Sequence, residues 1–121
     1  MAKVKKIKWL AQPESHDYPA ALSYLSLIYD EKKAAEIVSR LKKAKVVFFK
    51  AKDIFRASEL SLLGVSNSHV KKNIKKIRKG KSMSPLLLYR DFQKVIIPDG
   101  YHRMCGVYHF DEDALIPCKI V

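Results

Sequence analysis

The chain reads as an α+β protein, with an N-terminal helical hairpin followed by a compact mixed-sheet domain. Three observations predict this. Residues 18–44 are helical in pattern: Leu22, Leu25, Ile28 and Tyr29 recur at helical spacing, and a second stripe follows. After residue 45 short β-branched and aromatic runs appear, VVFFK, LLLYR and KVIIP. These runs alternate with helical stretches in the order strand, helix, strand, strand, helix, strand, which calls for a mixed sheet.

In chain order, Pro13 and Pro19 bracket a loop, PESHDYP, ahead of the first helix. Asp30 is an N-cap that restarts a helix through EKKAAEIVSRLKKAK, with Ile37, Val38 and Leu41 on its inner side. Residues 1–45 are thus a leader and hairpin packed on the domain of residues 46–121. VVFFK, residues 46–50, is the first strand, and a short helix is expected around Phe55–Leu60 with a loop at Gly64. Ser66 or Asn67 caps the next helix, Val70, Ile74 and Ile77 form its stripe, and Gly80 stands where a helix ends. SPLLLYR and KVIIPD flank DFQ as a hairpin. GYHRMCGVYHF is a short helix, DED a turn and ALIPCKIV the last strand.

Composition narrows the function. The chain has 121 residues, enough for one domain with a real core, and its 48% apolar content excludes disorder. No apolar run is long enough to span a membrane, and the basic start lacks the apolar stretch of a secretion signal. Cys105 and Cys118 give no disulfide framework, so a reducing cytoplasm is expected. Lys and Arg number 24 against 12 acidic residues, a net charge of +12 that favours polyanionic partners.

The run IIPDGYHRMC, residues 96–105, concentrates the chemistry. A strand ends at Asp99, Gly100 permits a sharp turn, and a helix starts at once. Its first N–H groups have no intrahelical partner and the helix dipole is positive there, which suits phosphate. Arg103 in the first turn can grip phosphate oxygens, Asp99 can cap the helix or hold a hydroxyl or metal, and His102 can donate a hydrogen bond or move a proton.

This corner, with the small-residue helix after it and the closing IPCKIV, resembles the ParB/sulfiredoxin-like fold family from about Lys52 to Val121. The likeness is to small bacterial ParB-like nuclease-domain and ParB N-terminal-domain proteins of unknown function. In sulfiredoxin the run is Gly-Cys-His-Arg; Gly100, His102 and Arg103 match, but Tyr101 replaces the nucleophile, so that activity is not expected. In free serine kinases of this fold the run is Asp-Gly-His-His-Arg, matched by Asp99, Gly100, His102 and Arg103. Their separate glutamate base has no placed counterpart, Glu59 being the nearest. In ParB the run is Gly-Glu-Arg-Arg, which helps hold cytidine triphosphate. Only Gly100 and Arg103 match, and neither a Glu-Asn-x-x-Arg segment nor a helix-turn-helix follows. The resemblance therefore implies a nucleotide, with or without Mg²⁺, or a nucleic-acid backbone held at Asp99, Gly100, Tyr101, His102 and Arg103.

A second candidate surface is the acid-free run Lys71, Lys72, Lys75, Lys76, Arg78, Lys79 and Lys81, a face suited to nucleic-acid phosphates. No interleaved aromatics suggest base stacking. His102, Cys105 and His109 fall on one helical face with Cys118 nearby, but the spacing matches no familiar zinc site and no metal is expected. Small residues at Cys105 and Gly106 point to close packing of that helix on the sheet. Asp111, Glu112 and Asp113 read as a solvated turn, and His16 and His69 as loop and cap residues. Two rivals stand beside phosphate binding. One is a metal-dependent phosphotransferase or nuclease at the same corner, which needs a carboxylate besides Asp99. The other is a non-catalytic module that docks a protein through the N-terminal helices. Homodimerisation stays open, with no exposed apolar stripe evident.

Overall fold

The computed structural model describes residues 6–121; the first five residues of the basic leader lie outside it. The described elements are α1 (Asp17–Ile28), α2 (Glu31–Lys43), β1 (Val47–Lys50), α3 (Ala51–Ser58), α4 (Ser68–Arg78), β2 (Leu86–Asp91), β3 (Lys94–Asp99), α5 (Tyr101–Phe110) and β4 (Leu115–Ile120). They form an α+β structure around a four-stranded mixed sheet in the order β1-β4-β2-β3. The β4–β2 pair at its centre is parallel, and the β1–β4 and β2–β3 pairs are antiparallel.

Strand alternation divides the core between the two faces. Leu86, Leu88, Ile97, Ile116 and Cys118 pack with Ile54, Val70, Ile77 and Met104 of α3, α4 and α5. Leu87 and Ile96 point the other way, against Ala21 and Leu25 of α1 and Ala34, Ile37, Val38 and Leu41 of α2. The hairpin and the sheet therefore share a core. On that face the buried Lys119 donates from Nζ to the Lys42 carbonyl at 3.0 Å, where the C-terminal end of α2 favours a cation.

Asp30 caps α2 by accepting the Lys33 N–H at 2.8 Å, and Asn67 caps α4. Three expectations need correction. Leu22 and Ile28 of α1 are exposed; the inner ladder is Asp17, Ala21 and Leu25, because small Ala21 lets that side approach the sheet. The short helix begins at Ala51 rather than near Phe55, and ends at Ser58. Its start is tied down by Ala51 and Lys52 N–H groups donating to the carbonyls of Ala114 and Glu112, both at 2.9 Å. Asp91 belongs to β2, so the hairpin turns on Phe92 and Gln93 alone, both at positive φ (44° and 64°), the geometry of a two-residue hairpin. Trp9 pairs with Met83 in a parallel bridge, which fastens the end of the leader to the core.

Among the described residues no helix is long and apolar enough to cross a membrane.

Candidate functional site

β3 runs into α5 through Gly100, whose φ of +104° is left-handed. A Cβ there would lie 2.6 Å from Leu86 Cγ and 3.1 Å from Arg103 Nη2, so the turn is closed to any side chain. No side chain caps α5, and Asp99 does not take the capping role expected of it. Its carboxylate accepts instead from Arg103 Nη2 at 3.1 Å, an i, i+4 pair on one helix face. The same Nη2 donates to the Pro85 carbonyl at 3.3 Å. Both side chains are mostly buried, 15% exposed for Asp99 and 18% for Arg103, and Arg103 Nε is buried with no partner. Arg103 therefore ties α5 to the start of β2, and only part of its guanidinium is left for a ligand. Burial pushes the Asp99 carboxyl above its ordinary range; Arg103 pulls it back and Asp17 adds to the rise.

The next two residues leave the corner in another direction. The Tyr101 hydroxyl donates to the Ser61 carbonyl, and His109 Nε2 lies 2.7 Å from the Leu63 carbonyl. Between them these contacts hold the loop of residues 59–66 along α5. His102 turns towards α4 and meets His69, with ring centroids 4.8 Å apart. His69 lies in the first turn of α4, where Asn67 Oδ1 accepts the N–H groups of His69 and Val70 at 3.0 and 3.2 Å. Burial, and then the neighbouring His69, hold His102 below the usual histidine range. The two helices approach closely because Gly106 faces α4: a Cβ there would sit 2.9 Å from Asn73 Cβ. That corrects the expectation that Gly106 serves packing on the sheet.

Beside the imidazoles runs a shallow groove of about 360 Å³ lined by Ser68, His69, Lys71, Lys72 and Lys75, with no acidic residue. Lys71, Lys72, Lys75, Lys76, Arg78, Lys79 and Lys81 are all exposed, while Val70 and Ile77 of the same helix are buried. None of the seven takes part in an ion pair among the described residues. The structure thus brings one end of the basic helix to the first turn of α5, through His69 and His102.

His102, Cys105 and His109 do not converge as a metal set. His102 meets His69 and His109 meets Leu63, while Cys105 is buried in the core with its thiol pushed up by burial. Cys118 is likewise buried, its thiol pushed up to about 12. Glu59 closes α3 in a left-handed conformation, φ 58°, and forms none of the ion pairs found among the described residues.

Residues missed in the sequence lie on the far side of Asp99. His16 Nε2 is 3.1 Å from Glu14 Oε2 and 3.4 Å from Asp17 Oδ1. Asp17 is buried, accepting the Ser84 hydroxyl and the Glu14 N–H, the latter at 2.9 Å. The charge of Asp17 reaches Asp99 and helps raise its pKa. The one available signal was three titratable residues between two prolines in PESHDYP. No protein-family model, curated protein or solved structure matches this chain.

Proposed function

We propose that this chain binds phosphate groups, of a nucleotide or a nucleic-acid backbone, where the first turns of α4 and α5 meet. The observation that carries the reading is the His69–His102 contact beside a groove with three lysines and no acid. Helix N-termini present N–H groups and positive dipole ends to an anion. In α5 no side chain caps those groups. The exposure of Lys71, Lys72 and Lys75, none of them in an ion pair among the described residues, supports the same assignment. So does the likeness of Asp99-Gly100-Tyr101-His102-Arg103 to the phosphate-holding turn of ParB/sulfiredoxin-like proteins, which we carry over as part of the proposal.

The test is fluorescence anisotropy with a labelled single-stranded oligonucleotide, competed by ATP. His69→Ala with His102→Ala should weaken binding about tenfold, roughly 1.4 kcal/mol. Unchanged affinity would count against the site.

One observation favours a second reading, metal-dependent phosphoryl transfer or hydrolysis at the Asp99 corner. That reading needs a carboxylate besides Asp99; Glu14 and Asp17 lie together with His16, a set that does not include Asp99, though the charge of Asp17 reaches it. A mixed imidazole and carboxylate set suits Mn²⁺ or Zn²⁺ better than Mg²⁺. Turnover of a nucleotide that requires such a metal and disappears in Asp17→Asn would establish it.

A further inference from the structure

α1 is apolar on two sides. Ala21 and Leu25 are buried against the sheet, yet Leu22, Tyr24, Leu27 and Ile28 are exposed, Leu27 at 87%. The helix bears one charged residue, the buried Asp17, so its exposed face has no charge at all. An apolar helix surface of this kind is normally covered. The patch continues past the helix. Leu60 lines a groove with Tyr24 and Ile28 that Asp91 and Lys94 also border, and the Tyr29–Asp91 hydrogen bond brings the β2–β3 turn alongside, with Phe92 93% exposed.

We infer that α1 packs antiparallel against α1 of a second copy of the chain, about a two-fold axis near Ser23 and Tyr24. The helix is self-complementary in that arrangement. Ala20 and Leu27 are seven residues apart and share a helix face. A crossing centred between Ser23 and Tyr24 sets the protruding Leu27 over the partner's Ala20, and Tyr24 beside the partner's Ser23, twice over by symmetry.

Charge selects the occupant. Two copies at +12 each repel, and they meet at least cost where the surface is uncharged. A helix that lies on a membrane carries Lys or Arg on its polar face, which α1 lacks. An acidic protein would be steered to the α4 side instead. A stable interface takes roughly 800 Å² per partner. Tyr24, Leu27 and Ile28 of α1 with Leu60 and Phe92 supply part of that, while Leu22 points to the other side of the helix. α1 and α4 lie on opposite faces of the sheet, so the α4 groove stays open in the dimer. The inference does not depend on the anion reading.

Light scattering on the full chain tests it. The expected mass is twice 13.9 kDa at high concentration. Leu27→Lys should give a folded monomer, and so should Ala20→Glu. The double variant Ala20→Glu/Leu27→Lys sets each Lys against a Glu of the partner and should restore the dimer. Phe48→Lys, on the exposed edge strand β1, should remain dimeric. A wild type that is monomeric at every concentration overturns the inference. So does a dimer that survives Leu27→Lys and Ala20→Glu, or one that Phe48→Lys dissociates.

Discussion

At the scale of single residues, Asp-Gly-Tyr-His-Arg is a sequence neighbourhood that the helix takes apart. Successive residues of an α-helix point about 100° apart, so Tyr101, His102 and Arg103 cannot share one target. Tyr101 goes to the Ser61 carbonyl, His102 to His69 and Arg103 back to Asp99. That divergence follows from the helix, which was legible in the sequence; the three destinations depend on tertiary structure and were not. Arg103→Ala should therefore do more than weaken a ligand. It leaves the Asp99 carboxylate poorly solvated without its cation, at a cost of about 1–3 kcal/mol in urea unfolding. Asp99→Asn in the same chain should recover part of that loss, as expected for partners in contact. An unchanged midpoint in Arg103→Ala would refute the structural role.

His102 carries a pH dependence whose sign is fixed. Its folded pKa lies below the ordinary 6.5, so between the two values the unfolded chain binds more protons. The contribution is present above pH 6.5 and lost as pH falls through the folded value. Acid unfolding followed in wild type and His102→Asn should show a shallower loss in the variant across that window. A phosphate bound at the proposed site would stabilise the imidazolium, so anion affinity should rise over the same fall in pH; an affinity indifferent to pH would remove His102 from the site.

At the scale of elements, periodicity made most helices and strands readable. Asp30, Asn67 and Gly80 punctuate them as their chemistry requires, with Gly80 at φ +70°. The failures are equally physical. α1 is apolar on both sides, so spacing alone could not say which side faces inward. The start of α3 depends on carbonyls of residues 112 and 114, sixty or more positions away. The α4–α5 contact rests on Gly106, read in the sequence as a packing residue but assigned to the wrong neighbour. Gly106→Ala must push Asn73 away or shift α4, and the unfolding free energy should fall by about 1–3 kcal/mol, as overpacking does. Because the same contact sets the His69–His102 spacing, oligonucleotide affinity should fall with it. A variant as stable and as tight as wild type would show that this crossing is not critical.

For the molecule as a whole, the excess of positive charge was plain in the composition, but its arrangement was not. Folding puts the helical hairpin on one face of the sheet and α4 on the other, and the His69–His102 contact brings the lysine-bearing helix to the first turn of α5. Folding likewise brings His16 and Asp17 within electrostatic reach of Asp99, across more than eighty residues of chain. The anion site where the first turns of α4 and α5 meet, beside the lysine-lined groove of α4, is the central claim. Its most direct test is the salt dependence of binding to a fluorescein-labelled single-stranded oligonucleotide, for wild type and for Lys71→Ala/Lys72→Ala/Lys75→Ala. Each neutralised phosphate adds about 0.7 to the log–log slope for single strands, so the triple variant should lose about 2 from a steep wild-type slope. Equal slopes in the two proteins, or no binding by wild type at low salt, would contradict the account.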